Sequence, residues 1–207
     1  MPSSSGPTRA RKSEASPRAW QRMLSGRKLD LLDPSPFDIE IDDIAHGLAR
    51  VARWNGQTTG DHPFSVAQHS LVVIDIMEVL SPKQPAKAKL FALLHDAPEY
   101  VIGDMISPFK SALGLDYRAF EDRLASAIHM RFSLSPRMPA PLKALIKRAD
   151  VMSAWLEAVQ LAGFDVAEAN KFFRKPPDAA LFTLRPLAAA EAQAAFLTAF
   201  RALVDQE

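Results

Sequence analysis

The sequence predicts an all-α bundle of about six or seven helices, and three observations carry that prediction. Between residues 42 and 204, apolar side chains recur mostly every three or four positions, the spacing that lines one face of a helix. Pro, Gly and Ser interrupt that stretch at helix-length intervals. Alternating strand patterns are almost absent. Only 38–41 and Leu181–Leu184 show them, and these two stretches are the candidates to pair as one short β-hairpin.

Residues 1–17 are rich in Ser, Pro, Arg and Lys and read as disordered. Residues 18–28 read as a short helix or as more of the tail. The domain boundary is therefore set at 28/29, with a disordered basic tail over 1–28 and one domain over 29–207. A first helix is expected from about Asp42 to Trp54, with Ile44, Leu48 and Val51 on one face and Asn55-Gly56 as its stop. A polar loop, 55–64, follows. Ser65 is a suitable N-cap for a second helix that carries Val66, Val73, Ile74, Met77 and Leu80 and ends at Ser81-Pro82. Pro85 opens a third, 85–97. Residues 98–115, with Gly103, Pro108 and Gly114, read as irregular. Further helices are expected over about Asp116–Arg131, Pro141–Leu161 with Gly163 as terminator, Val166–Phe173 and an Ala-rich 187–204.

Composition narrows the chemistry. Apolar residues at 48% and charged residues at 24% are ordinary for a globule that builds its own core. No apolar run reaches the length of a membrane span, and no signal-type segment opens the chain, so a cytoplasmic location with no membrane partner is expected. Zero cysteines exclude disulfides, thiolate metal sites and cysteine nucleophiles, so a metal site must draw on His, Asp and Glu. No Gly-x-Gly-x-x-Gly or Walker pattern is present. The net charge of +1 is uneven: residues 1–28 hold seven bases and one acid, while the rest holds 18 bases and 23 acids. The folded part is thus no basic platform, and no stable nucleic-acid partner is expected.

Three places hold unusual polar residues. His95-Asp96 ends an apolar helix, where a carboxylate that goes inside needs a partner or a metal. His69 lies among Val66, Ala67, Leu71 and Val72. Asp150 has Ile146 and Ala154 four residues to either side. Each also has an ordinary reading: His95 as a helix-end cation with Asp96 capping a turn, His69 as a hydrogen-bonded core histidine, Asp150 as an ion-pair partner of Lys147 or Arg148. Together, two imidazoles and two carboxylates on three helices suffice for one divalent ion. Such N/O donors suit Mn, Fe, Co, Ni or Zn, and Mg less well.

In this order, and with the flanks Phe64-Ser65-Val66-Ala67-Gln68-His69, Ala92-Leu93-Leu94-His95-Asp96-Ala97-Pro98-Glu99, Ile102-Gly103-Asp104-Met105-Ile106-Ser107-Pro108-Phe109-Lys110 and Lys147-Arg148-Ala149-Asp150, the chain resembles the HD-domain metal-dependent phosphohydrolases over about residues 44–160. The segments are most similar to the bacterial 5′-deoxynucleotidase branch and to a related viral branch acting on dATP. The resemblance implies an HD-type helical bundle, one divalent metal held by His69, His95, Asp96 and Asp150, and a small-molecule nucleotide substrate. It implies that Arg53 clamps the phosphate, that Glu99 handles a proton or positions the water, that Trp54 lines the sugar pocket and that Asp104 meets the sugar hydroxyl. Lys110 is a further phosphate candidate, and a helix-mediated homodimer is a family expectation. The implied reaction is removal of phosphate from a deoxynucleoside 5′-monophosphate by metal-activated water. A deoxynucleoside triphosphatase, a phosphodiesterase and a non-catalytic nucleotide-sensing module are the alternatives. The 55–64 loop departs from the 5′-deoxynucleotidase pattern, and Pro98 replaces a small residue. His46, His62 and His129 receive no role.

Overall fold

The computed structural model describes residues 19–104 and 115–206. Eight helices and one two-stranded sheet form the secondary structure among these residues, with short 3₁₀ turns between them. The all-α reading therefore holds, with one helix more than expected. The expectations for residues 1–18 and for Lys110 lie outside the described residues.

The hairpin is real, but it stands elsewhere. β1 (Trp20–Arg22) pairs antiparallel with β2 (Lys28–Asp30), in the register Trp20↔Asp30 and Gln21↔Leu29. The ordered fold thus reaches back to Trp20, into the stretch assigned to the tail. Two local contacts explain this. Leu29 is fully buried, and the turn is tied to the first helix by Ser25, whose backbone N–H and hydroxyl both donate to Asp43. The basic residues are used within the hairpin, with Lys28 Nζ 4.8 Å from the centre of the Trp20 ring.

The stretches 38–41 and 181–184 do not pair. Pro36–Asp38 and Ala179–Leu181 are 3₁₀ turns, the first capped by the Ser35 hydroxyl. Over 182–188 the chain runs without helix or strand, and two side-chain amides satisfy four of its backbone groups. Gln160 donates to Phe182 O and accepts from Leu184 N, at 2.8 and 2.9 Å. Gln68 does the same for Arg185 O and Leu187 N, at 2.9 and 3.1 Å.

α1 (Ile41–Leu48) is shorter than its apolar spacing suggested. The chain leaves it at Ala49 and makes a brief antiparallel contact with residues 64–66: Arg53 N donates to Phe64 O at 2.8 Å and Val66 N to Val51 O at 3.0 Å. Val51 therefore serves a strand-like pairing and not a helix face. Arg53 and Trp54 lie in a tight 3₁₀ turn, with Trp54 and Asn55 at φ 57° and 51°.

α2 (Val66–Leu80) starts where Ser65 predicts, its hydroxyl accepting from Gln68 N. α3 (Ala86–Leu93) stops short of His95, and the chain turns through 94–98 into α4 (Glu99–Ile102), a short helix within the stretch read as irregular. α5 (Leu115–Arg131) and α6 (Ala140–Gln160) match their expected spans closely. Gly163, at φ 79°, closes the turn after α6. α7 (Val166–Phe172) is capped by Asp165, and α8 (Ala189–Val204) completes the bundle. α2 is central: it packs on α6, α3 and α8, with Val73, Ile76 and Met77 buried among Leu90, Leu93, Leu156 and Phe196. Four elements thereby present side chains to one point: the 53–56 turn, the start of α2, the turn after α3, and α6.

Candidate metal centre and active site

His69 sits one turn into α2 and is fully buried. Its Nδ1 lies 2.6 Å from Glu157 Oε1. An ionised carboxylate only accepts, so Nδ1 carries a proton and Nε2 is the atom that faces the site. His95 is held the same way: its Nδ1 is 2.7 Å from Ala92 O, a carbonyl that also only accepts. Both Nε2 atoms are buried and make no hydrogen bond. Around them stand carboxylates. Asp96 Oδ2 lies 3.3 Å from His95 Nε2 and 3.6 Å from His69 Nε2, and Asp150 Oδ1 lies 3.3 Å from His69 Nε2. Ligand-type atoms of His69, His95 and Asp150 all fall within 4.8 Å of one another, a spacing one ion can bridge. The second Asp150 oxygen is 2.7 Å from Lys147 Nζ, on an exposed side chain whose ion pair contributes little.

The structure brings Arg53, Trp54 and Asp104 to the same place. Arg53 Nε donates to Glu157 Oε2 at 3.1 Å, and one of its terminal nitrogens is 3.5 Å from Asp104. Trp54 Nε1 donates to the same Glu157 oxygen at 2.8 Å, and its ring packs on Phe164 and Phe173 at 5.6 and 5.7 Å between centroids. Glu99 is buried on α4, with its backbone N–H bonded to Asp96 O at 3.0 Å, so it follows Asp96 by one tight turn. A cavity of about 750 Å³ opens beside His95 and is bordered by Pro98, Arg123, His129, Arg137 and Lys143. His129 is otherwise a core residue, its Nδ1 near Pro136 O and its ring against Phe91.

One buried residue was not anticipated. Glu157 is fully buried on α6 and touches both halves of the site. The signal was available: Glu157 is seven residues after Asp150 and four after Ser153, and two helical turns return a side chain to nearly the same face.

The electrostatics favour positive charge at His69. Burial opposes ionisation of Asp96 and Asp150, yet the neighbouring histidines hold both carboxyls well below the usual range. Burial likewise opposes the Glu157 carboxylate, but Arg53 and His69 bring it down to about 2. For His69, burial and Arg53 push downward; the neighbouring Glu157 and Asp150 carboxylates outweigh them and raise it to about 9. Arg53 stays charged against burial because Glu157 and Asp104 face it.

These shifts predict a stability profile for metal-free protein. Glu157, depressed in the fold, stabilises above its unfolded value, and that contribution disappears as the pH falls from about 4.3 toward 2. His69, raised in the fold, stabilises below about 6.5, and its contribution disappears as the pH rises toward 9. Thermal melts in chelator should therefore peak between about pH 4.5 and 6.5. A melting temperature that keeps rising from pH 6.5 to 9 would contradict this balance.

The profile of the 5′-deoxynucleotidase YfbR-like family matches residues 44–203, most of the chain. The chain belongs to that family. Among relatives of this YfbR-like protein, an uncharacterized protein of Rhodobacter capsulatus is 62% identical over 159 residues, covering 77% of this chain and 81% of the relative. YfdR of Escherichia coli is 30% identical, covering 80% and 85%. The 4′-phosphooxetanocin A phosphatase of Priestia megaterium is 28% identical, covering 63% and 75%. The YfbR-like chain is thus an HD-type phosphohydrolase. No helix among its described residues is long and apolar enough to cross a membrane.

Proposed function

We propose that the protein is a metal-dependent phosphomonoesterase acting on deoxynucleoside 5′-monophosphates, with His69, His95, Asp96 and Asp150 as ligands of one divalent ion. The observation that carries this reading is the pair of buried imidazole Nε2 atoms, both without a hydrogen bond and both facing carboxylates. Two imidazole nitrogens and two ionised carboxylates, with no thiolate, fit Mn, Co, Fe, Ni or Zn, with Mg the weaker match. When bound, the ion supplies charge for the phosphate oxygens and an activated water.

The chain's own groups do the rest. Arg53, fixed by Glu157 and Asp104, presents the remaining guanidinium edge to the phosphate. Glu99, buried one turn after Asp96, exchanges a proton with the attacking water or the leaving oxygen. Asp104 accepts from the sugar hydroxyl, and Trp54 forms the wall that a ribose 2′-hydroxyl would strike. Membership of a 5′-deoxynucleotidase family and a relative that is a phosphatase support the monophosphate.

A panel of deoxy- and ribonucleoside mono- and triphosphates, read for released phosphate and triphosphate, tests the reading. Deoxynucleoside 5′-monophosphates should turn over fastest. Equal rates on ribo- and deoxynucleotides would refute the sugar assignment, and release of intact triphosphate would move the protein to the triphosphatase class.

A further inference from the structure

Glu157 is fully buried, and four donors converge on its two oxygens. Oε1 accepts from His69 Nδ1 at 2.6 Å and from the Ser153 hydroxyl at 2.9 Å. Oε2 accepts from Arg53 Nε at 3.1 Å and from Trp54 Nε1 at 2.8 Å. We propose that Glu157 is a positioning residue that sets the metal ligand His69 and the phosphate arm Arg53 from one carboxylate, so that metal affinity and phosphate affinity share a single anchor. The inference rests on the roles given to His69 and Arg53 above.

The chemistry requires a carboxylate here. All four neighbours donate, and a carboxylate offers about four lone-pair sites and no proton. An amide of the same shape must turn its NH₂ toward one pair of donors. Turned toward His69, it meets Nδ1–H and favours the tautomer that protonates Nε2, the atom facing the site. Turned toward Arg53 and Trp54, it releases both. With no exposed surface at Glu157, solvent is poorly placed to stand in for the missing acceptor.

The backbone supports the same conclusion. Trp54 sits at φ 57°, a left-handed conformation that is unfavourable for a bulky residue, so the turn that presents Arg53 must be held from outside. The Nε1 hydrogen bond to Glu157 and the packing on Phe164 and Phe173 are the holds the structure shows. Glu157 itself shares α6 with Asp150, two turns along nearly the same face, and all four of its hydrogen bonds are made inside the protein. Displacement of either partner is therefore transmitted to the other through one side chain.

The test uses full-length protein stripped of metal, Mn²⁺ as the metal probe and inorganic phosphate as the anion probe, with circular dichroism to establish folding. In Glu157→Gln the Mn²⁺ dissociation constant should rise about 10–100-fold, the usual cost of losing a group that orients a metal ligand. The dissociation constant for phosphate, measured at saturating Mn²⁺, should rise with it. Glu157→Asp, which keeps the charge and shortens the reach, should weaken both as well, and it carries the test if the amide variant does not fold. A purely structural carboxylate, present only to neutralise buried Arg53, predicts normal affinities in folded Glu157→Asp; that result, or a change in one affinity alone, overturns the shared anchor. Wild-type protein that takes up no Mn²⁺ overturns the proposed function and this inference together. Wild-type protein that binds Mn²⁺ while both variants bind it equally well overturns this inference alone.

Discussion

Asp96→Ala is expected to yield a folded protein that retains no divalent metal and hydrolyses no nucleotide. Asp96 Oδ2 lies 3.3 and 3.6 Å from the two imidazole Nε2 atoms, so it is the carboxylate that faces both histidines at once. Removing it takes one donor of four and also takes away negative charge that favours a cation between the rings. Loss of a ligand should exceed the roughly 10–100-fold penalty of losing a group that only orients one. Its side chain is about one-quarter exposed, so the substitution leaves no large cavity in the core. Metal analysis after dialysis, with circular dichroism on the same sample, decides the matter. Full metal occupancy in the folded variant would remove Asp96 from the ligand set.

Glu99 and Arg53 are expected to separate kinetically. Glu99→Gln should lower kcat by roughly 10²–10⁴, the usual range for a lost acid–base group, with KM little changed and metal content normal. Arg53 pairs with phosphate in the ground state and in the transition state, so its loss should raise KM as well as lower kcat. The structure dictates which arginine variant to make. Arg53→Ala would take from the buried Glu157 carboxylate its guanidinium partner and leave it only His69, Ser153 and Trp54, which destabilises the fold. Arg53→Lys keeps a charge near Glu157 and loses the planar fork, so it reports on phosphate recognition with less damage to the fold. Glu99→Gln with near-normal kcat on the best substrate, beside an inactive Asp96→Ala, would reduce Glu99 to a helix-end acid.

Much of this was legible in the residues, and the exceptions have physical causes. α2 and α6 fall where caps and breakers place them, because a Ser hydroxyl, a proline or a left-handed glycine acts on the backbone within its own turn. α1 was overextended because Val51 continues the helical spacing, while its backbone carbonyl pairs with Val66, a contact set by tertiary structure. The hairpin was missed because its strands are three residues each and only Leu29 shows a fully buried apolar position. The strand-like 181–184 stretch pairs with glutamine side chains, for which alternation carries no signal. His69, His95, Asp96 and Asp150 drew notice because polar residues in apolar helices stand out, and the family resemblance, not their spacing, joined them as a ligand set. Glu157 did not draw notice, because one glutamate in a long helix reads as a surface charge unless its angle from Asp150 is worked out.

Gly47 extends the consequences of the fold to sequence variation. A Cβ built on it would lie 2.8 Å from both the Cβ and the backbone oxygen of Tyr100, so α1 and α4 touch there with no room for a methyl group. α4 begins with Glu99, and α1 leads within a few residues to Arg53. Even alanine at position 47 must push these two segments apart, although Gly47 has no chemistry of its own. In a library scored by activity, position 47 should therefore tolerate as little as the charged positions do. Scored by abundance, it should be more forgiving, because separating two short helices costs less than opening the core around α2. Such a position behaves as a spacer: its effect on the enzyme lies in the volume that it lacks.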